Sequence, residues 1–206
     1  MSRLIQYLVS EGYLKTPRLI KAFKKIRRDD FVLPKEKESA DLDMPLSIGE
    51  GQTISQPLTV AFMFEKLAPQ PGQKILDVGS GSGWTTALLA EIVGKSGKVI
   101  GIERIEKLCD FGRKNVKKYK FISEGRAKII CADGTKGWKK EAPYDRILVS
   151  AAAEEIPEAL KNQLAVGGRM MIPVQDSLWL VEKIAENKFH EAEYPGFVFV
   201  SLIPSK

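Results

Sequence analysis

Apolar residues recur at helical spacing through the first third of the chain; beyond it, strand-like apolar runs alternate with further helical stretches. Leu4, Ile5, Leu8 and Val9 fall on one helical face, which Gly12 would close. Thr16 followed by Pro17 reads as the cap and first turn of a second helix carrying Leu19, Ile20, Phe23 and Ile26. Residues 33–53, rich in Pro, Gly and charge, read as a loop. A third helix is predicted from about Gln56 to Leu67, and Pro69-Gln-Pro71-Gly72 breaks the chain after it. From there the pattern predicts strands at 74–78, 98–103, 127–131, 144–150 and 168–174, with helices at 85–93, 106–119 and 156–164 between them. Segments 178–185 and 197–203 read as two late strands, with Asn187-Lys188 as the turn between them. This alternation predicts an α/β fold, a doubly wound and mostly parallel sheet of about seven strands with helices on both faces, preceded by N-terminal helices. Ligands of such sheets bind at the carboxyl ends of the strands, where the strand order reverses.

Length and composition narrow this picture. A chain of 206 residues, 44% hydrophobic and 28% charged, suits one globular domain and excludes a disordered, collagenous or coiled-coil chain. We expect a single domain over 1–206, in which 1–70 form a helical cap with a loop and 71–206 the ligand-binding core. The net charge of +6 permits contact with nucleic acid without establishing it. Cys109 and Cys131 form no CxxC pair and read as small buried apolar residues; with His190 as the only histidine they offer no metal-ligand spacing. The N-terminus lacks the pattern of a signal peptide, and no apolar run approaches the ~18 residues of a membrane span. A cytoplasmic protein, bound to neither metal nor membrane, is the expectation.

The densest chemical signal is Leu76-Asp-Val-Gly-Ser-Gly-Ser-Gly83, between a strand and a helix. Small residues there let the backbone approach a ligand at a helix N-terminus. A dinucleotide fingerprint starting at Gly79 needs glycine where Trp84 stands, and one starting at Gly81 needs it where Thr86 stands. A phosphate-binding loop ending in Gly94-Lys95-Ser96 would need its first glycine at Leu89, and the serines lack the flanking glycines of a nucleophile elbow. What is left is a GxGxG loop with Asp77 two positions before it. Glu103, at the end of the next strand, is placed to accept both hydroxyls of a ribose, and Asp133-Gly134 after the third strand could meet an adenine amino group. Taken singly, Asp77 could be a cap and Asp133-Gly134 a turn. As an ordered set they suit an adenosine ligand without a pyrophosphate. S-adenosylmethionine fits, because its cationic sulfonium and amino group would favour a carboxylate nearby.

These residues resemble those of class I S-adenosylmethionine-dependent methyltransferases, with a Rossmann-like core. More narrowly, the chain resembles the protein-L-isoaspartate(D-aspartate) O-methyltransferases from about residue 3 to 203. The most specific stretch is Leu46-Ser-Ile-Gly-Glu-Gly-Gln-Thr-Ile-Ser-Gln-Pro57; Glu103-Arg104, Asp133-Gly134 with Gly137, Pro143-Tyr-Asp145 and Gly167-Gly168 match in order. The resemblance implies that Gly79, Ser80 and Gly81 approach the methionine part of the cofactor with Asp77 nearby. Glu103 would hold the ribose and Asp133-Gly134 the adenine edge. Thr53, Ile54 and Ser55 would lie over the reactive methyl group, with Ser55 as the catalytic serine. From the residues alone, Ser55 also reads as an N-cap of the helix that Pro57 begins.

The implied reaction is methyl transfer to the free carboxylate of L-isoaspartyl or D-aspartyl residues in damaged peptides and proteins. The methyl ester then closes to a succinimide, which starts repair. Such a carboxylate is ionised at neutral pH and needs no general base, consistent with a single histidine near the C-terminus. A monomer is expected. Two rivals keep the cofactor and change the substrate: RNA, which the basic runs at 113–120 and 136–140 invite, or an ordinary aspartate of one dedicated peptide partner, which Asp41, Trp84 and Ser201 suggest by departing from the family's usual residues. A third rival is a cofactor-binding module without transfer.

Overall fold

The computed structural model describes residues 2–203. Helices α1 (Arg3–Ser10) and α2 (Pro17–Lys25) open the chain, followed by 3-10 turns at Arg28–Phe31 and Pro34–Ser39. The region read as a loop also contains an antiparallel hairpin, β1 (Leu46–Gly49) and β2 (Gln52–Ile54), which leads directly into α3 (Pro57–Leu67). The hairpin escaped the sequence reading because its strands are three and four residues long and are separated by glycines, too short for a periodic signal.

The remainder runs β3 (Lys74–Val78), α4 (Trp84–Val93), β4 (Lys98–Glu103), α5 (Glu106–Lys117), β5 (Ala127–Cys131), β6 (Tyr144–Val149), α6 (Glu158–Lys161), β7 (Leu164–Val174), β8 (Ser177–Ala185) and β9 (Lys188–Pro195). These strands form one seven-stranded sheet in the order β5-β4-β3-β6-β7-β8-β9. Pairing is parallel from β5 to β7 and antiparallel across β7-β8-β9. After β3 the chain builds outward through β4 and β5, then returns to the other side of β3 with β6. The strand order therefore reverses between β3 and β6.

Alternate strand residues serve opposite faces of the sheet. Ile75, Val99, Leu148 and Met171 join a core shared with α1 to α4. Leu76, Val78, Ile100, Ile102, Ile147, Val149 and Ile172 face the other way, onto Leu160, Leu164 and Tyr144. That second face is covered by the single turn α6, shorter than the helix predicted at 156–164, and by 3-10 turns at Gly134–Lys136 and Lys139–Glu141.

Two other expectations need correction. The last strand is β9, not 197–203. β9 alternates polar and apolar residues at the exposed sheet edge, so it carries little hydrophobic signal. The apolar run after it is instead a strap: Phe197 and Phe199 pack on the core, and Ser201 forms an isolated parallel bridge with Ala152. Nor are the cysteines two independent buried residues. Cys109 of α5 and the exposed Cys131 at the end of β5 are joined as a disulfide, with Cα atoms 5.9 Å apart. The β4–α5–β5 crossover brings together residues 22 apart in sequence. No described helix is long and apolar enough to cross a membrane.

Candidate active site

Beyond the carboxyl ends of β3, β4 and β6 lies a cleft whose walls include Gly79, Gly81, Ile102, Glu103, Gly134 and Ala151. Loop 79–83 turns sharply here, with Gly79, Gly81 and Gly83 all at positive φ. Gly83 has a second reason to lack a side chain: a Cβ would lie 2.8 Å from Val116 and 3.0 Å from the Gly112 carbonyl, so α5 and the loop meet backbone to backbone.

Glu103 is buried, and its carboxylate is held from two sides. Gly81 N–H donates to Oε2 at 3.0 Å and Ile105 N–H to Oε1 at 2.9 Å. A carboxylate offers about four acceptor sites; with one used on each oxygen, capacity is left for a vicinal diol. Asp77 behaves differently. It is fully buried behind the loop, where its Oδ2 accepts from the hydroxyls of Thr85 at 2.8 Å and Thr86 at 2.6 Å. Its Oδ1 has no partner among the described residues. Burial pushes its pKa up to about 6, with the two threonine hydroxyls acting in the opposite direction. Asp77 thus pins the start of α4 to the end of β3 and reaches the cleft only through its field. Asp133 caps the 3-10 turn that follows it, accepting from Thr135 N–H at 2.9 Å and Thr135 Oγ1 at 2.6 Å. The neighbouring Gly134 forms part of the cleft wall.

Adjoining the loop is a smaller pocket bounded by Thr53, Ile54, Ser55, Ser80, Trp84 and Ser150. It joins the end of β2 to the glycine loop, two segments about 25 residues apart in the chain. Ser55 does not cap α3. The cap position is Gln56, and the capping acceptor comes from elsewhere in the chain: Asp43 Oδ1 takes the Leu58 N–H at 2.8 Å. Ser55 Oγ makes no hydrogen bond among the described residues. A third depression, lined by Thr53, Ser55, Gln56, Ser150, Val198 and Phe199, opens beside it toward the strap. His190 is exposed on the edge strand β9, 3.5 Å from Glu182, and belongs to none of these walls.

The structure thus gathers Gly79, Gly81, Glu103 and Gly134 around one cleft and Thr53, Ile54, Ser55 and Ser80 around its neighbour, with Asp77 buried behind the loop and Asp133 capping the turn that carries Gly134. Sequence reading missed Ser150 and Ala151, although their place just after a central strand could have flagged them. It also missed Gln52, which lines the first cleft. Val200 and Ser201 line it too; Ser201 stands out in the sequence as a departure from the family's usual residues, and the strap that carries it comes to the cleft by bridging Ala152.

A cationic adenosyl ligand suits these residues. Two buried oxygens without partners, Ser80 Oγ and Asp77 Oδ1, lie at the loop, and an anchored carboxylate lies beyond it. The basic runs that invited an RNA reading are partly engaged within the chain. Arg113 pairs with Asp110 and Lys118 with Asp30.

The family model for Protein-L-isoaspartate(D-aspartate) O-methyltransferase (PCMT) matches residues 1–206. A protein-L-isoaspartate O-methyltransferase of Methanopyrus kandleri is 47% identical over 205 residues, covering 98% of this chain and 90% of the relative. Its counterpart from Ignicoccus hospitalis is 44% identical over 206 residues, covering 98% and 92%. Among solved structures, a Plasmodium falciparum protein described as a protein-L-isoaspartate O-methyltransferase, in complex with S-adenosyl-L-homocysteine, superposes with a TM-score of 0.89. It is 28% identical, with 98% of this chain and 97% of that one covered.

Proposed function

The chain belongs to the protein-L-isoaspartate(D-aspartate) O-methyltransferase family, and we propose that it methylates the free carboxylate of L-isoaspartyl and D-aspartyl residues in damaged proteins, starting their repair through a succinimide. S-adenosylmethionine supplies, when bound, an electrophilic methyl group on a sulfonium. The observation that carries the reading is the free Ser55 hydroxyl at the wall shared by the hairpin and the glycine loop.

The residues divide the work as follows. Glu103, anchored by two backbone N–H groups, receives the ribose hydroxyls. Gly79, Ser80 and Gly81 border the methionine part, Gly134 borders the base, and Asp133 shapes the turn that presents Gly134. Asp77, ionised at neutral pH with its value near 6, contributes negative potential behind the loop. Ser55 donates its hydroxyl to one oxygen of the substrate carboxylate and turns the other toward the methyl carbon. Thr53 and Ile54 complete that wall. The carboxylate is already the nucleophile at neutral pH, so the chain needs to place it and strip its water rather than take its proton. Placement of this kind is worth several kcal/mol of barrier, about 7–11 at its best.

On this reading the protein works as a monomer in the cytoplasm, and its partners are isoaspartyl peptides and proteins. Two peptides differing only in isoaspartate against aspartate test it. Methyl ester should form on the isoaspartyl peptide alone. Equal ester on both would turn the reading toward a dedicated aspartyl partner, and none on either, with cofactor bound, would reject peptide repair.

A further inference from the structure

Arg28 is the most buried arginine of the chain, with 6% of its surface exposed, and it lies outside the residues assigned above. Its Nη1 donates to the carbonyls of Ala40 and Leu42, both at 3.2 Å. Its Nη2 donates to Met44 at 2.7 Å and to Ser55 at 3.2 Å. No carboxylate comes within ion-pair distance of it among the described residues, and its Cζ lies 5.4 Å from the centre of the Trp84 ring. Burial lowers its pKa to about 10. Burying a guanidinium without an ion-pair partner is unfavourable. What this one provides in return is geometry: a rigid planar fork that ties two separate stretches of backbone, 40–44 and Ser55, to one point.

Asp43 works from the same loop in the other direction. Its Oδ1 accepts from Leu58 N–H at 2.8 Å and its Oδ2 from Gln56 Nε2 at 3.1 Å. A carboxylate here also sits favourably at the positive end of the α3 dipole. Ser55 is therefore held through its own carbonyl by Arg28, and through the next residue and the first turn of α3 by Asp43. Its hydroxyl is left unengaged.

We propose that Arg28 and Asp43 are positioning residues for methyl transfer, locking the Ser55 peptide so that its hydroxyl meets the substrate carboxylate in one orientation. The proposal rests on Ser55 being the substrate donor. A lysine at 28 keeps the charge but cannot reach four carbonyls with one compact ammonium.

A double-mutant cycle tests this, with kcat and KM measured on an isoaspartyl peptide and cofactor affinity measured by calorimetry. Ser55→Ala should lower kcat about tenfold or more. Arg28→Lys should lower kcat by a similar factor, since a displacement near 1 Å can cost up to about 100-fold. Cofactor affinity should hold within about twofold, and Arg28→Lys should cost nothing more once Ser55 is already alanine. Asp43→Asn, which keeps the shape and the acceptor for Leu58 N–H, should lose about threefold to tenfold in kcat with the same non-additivity; it decides the matter if Arg28→Lys does not fold. A loss that repeats in full in the Ser55→Ala background, or that cofactor affinity shares, makes these residues merely structural and overturns the proposal alone. Wild-type turnover by Ser55→Ala removes the Ser55 reading, and this proposal with it.

Discussion

Glu103 and Asp77 are both buried carboxylates near the same loop, yet their surroundings assign them opposite tasks. Glu103 accepts backbone N–H groups on both oxygens and faces the cleft. Glu103→Ala should weaken S-adenosylmethionine binding about 100-fold, the scale of two charge-assisted hydrogen bonds lost; calorimetry showing less than a twofold change would remove the ribose assignment. Asp77 is shielded from the cleft, and its value is raised from 3.8 to about 6 by burial. A raised value means that the folded state holds the proton more firmly than the unfolded chain. This group's stabilising contribution is therefore complete below about 3.8 and is lost as pH rises through about 6. The melting temperature of the wild type relative to Asp77→Asn should accordingly climb as pH is lowered from about 7 to about 4. A difference that stays flat over that range would contradict the assigned burial.

Among the elements, α3 and α5 show how local signals and tertiary contacts divide the work. Pro57 correctly marks the first turn of α3, but the cap comes from Asp43, 15 residues before the N–H it accepts. α2 behaves alike: Thr16 stands at its cap position but makes no side-chain cap bond, and Glu65 of α3 accepts from the backbone of Lys15 and Thr16. Capping rules find helix starts because the N–H groups there need acceptors. They do not say which segment supplies them. α5 is tied to β5 by the Cys109–Cys131 disulfide. A bridge closing a loop of this length is worth about 3 kcal/mol, or roughly 6–12 °C in melting temperature for a domain of this size. Scanning calorimetry with and without reductant should show that loss, and Cys131→Ser should reproduce it. An unchanged transition with both thiols titratable would mean that the crosslink carries no stability.

Across the whole molecule, the reversal of strand order between β3 and β6 opens the cleft, and the N-terminal third and the C-terminal strap close around it from two sides. The central strands were legible because parallel strands buried on both faces read as short, nearly continuous apolar runs, as in 99–102 and 147–149. Edge and hairpin elements were not, since β9 has no fully buried residue and β1–β2 is too short to show a period.

What the amino-acid sequence determined by itself was the series of central strands and helices, the glycine loop and the carboxylate ending β4. All of these follow from residue periodicity or from short-range backbone requirements. Only the tertiary structure decided which carboxylate faces the cleft, that Ser55 is released from capping because Asp43 takes its place, that Arg28 reaches the Ser55 carbonyl, that Cys109 meets Cys131, and that the strap returns to the site. Each of these depends on where segments far apart in the chain come to lie. That is set by the packing of whole elements on the sheet, which no window of neighbouring residues contains.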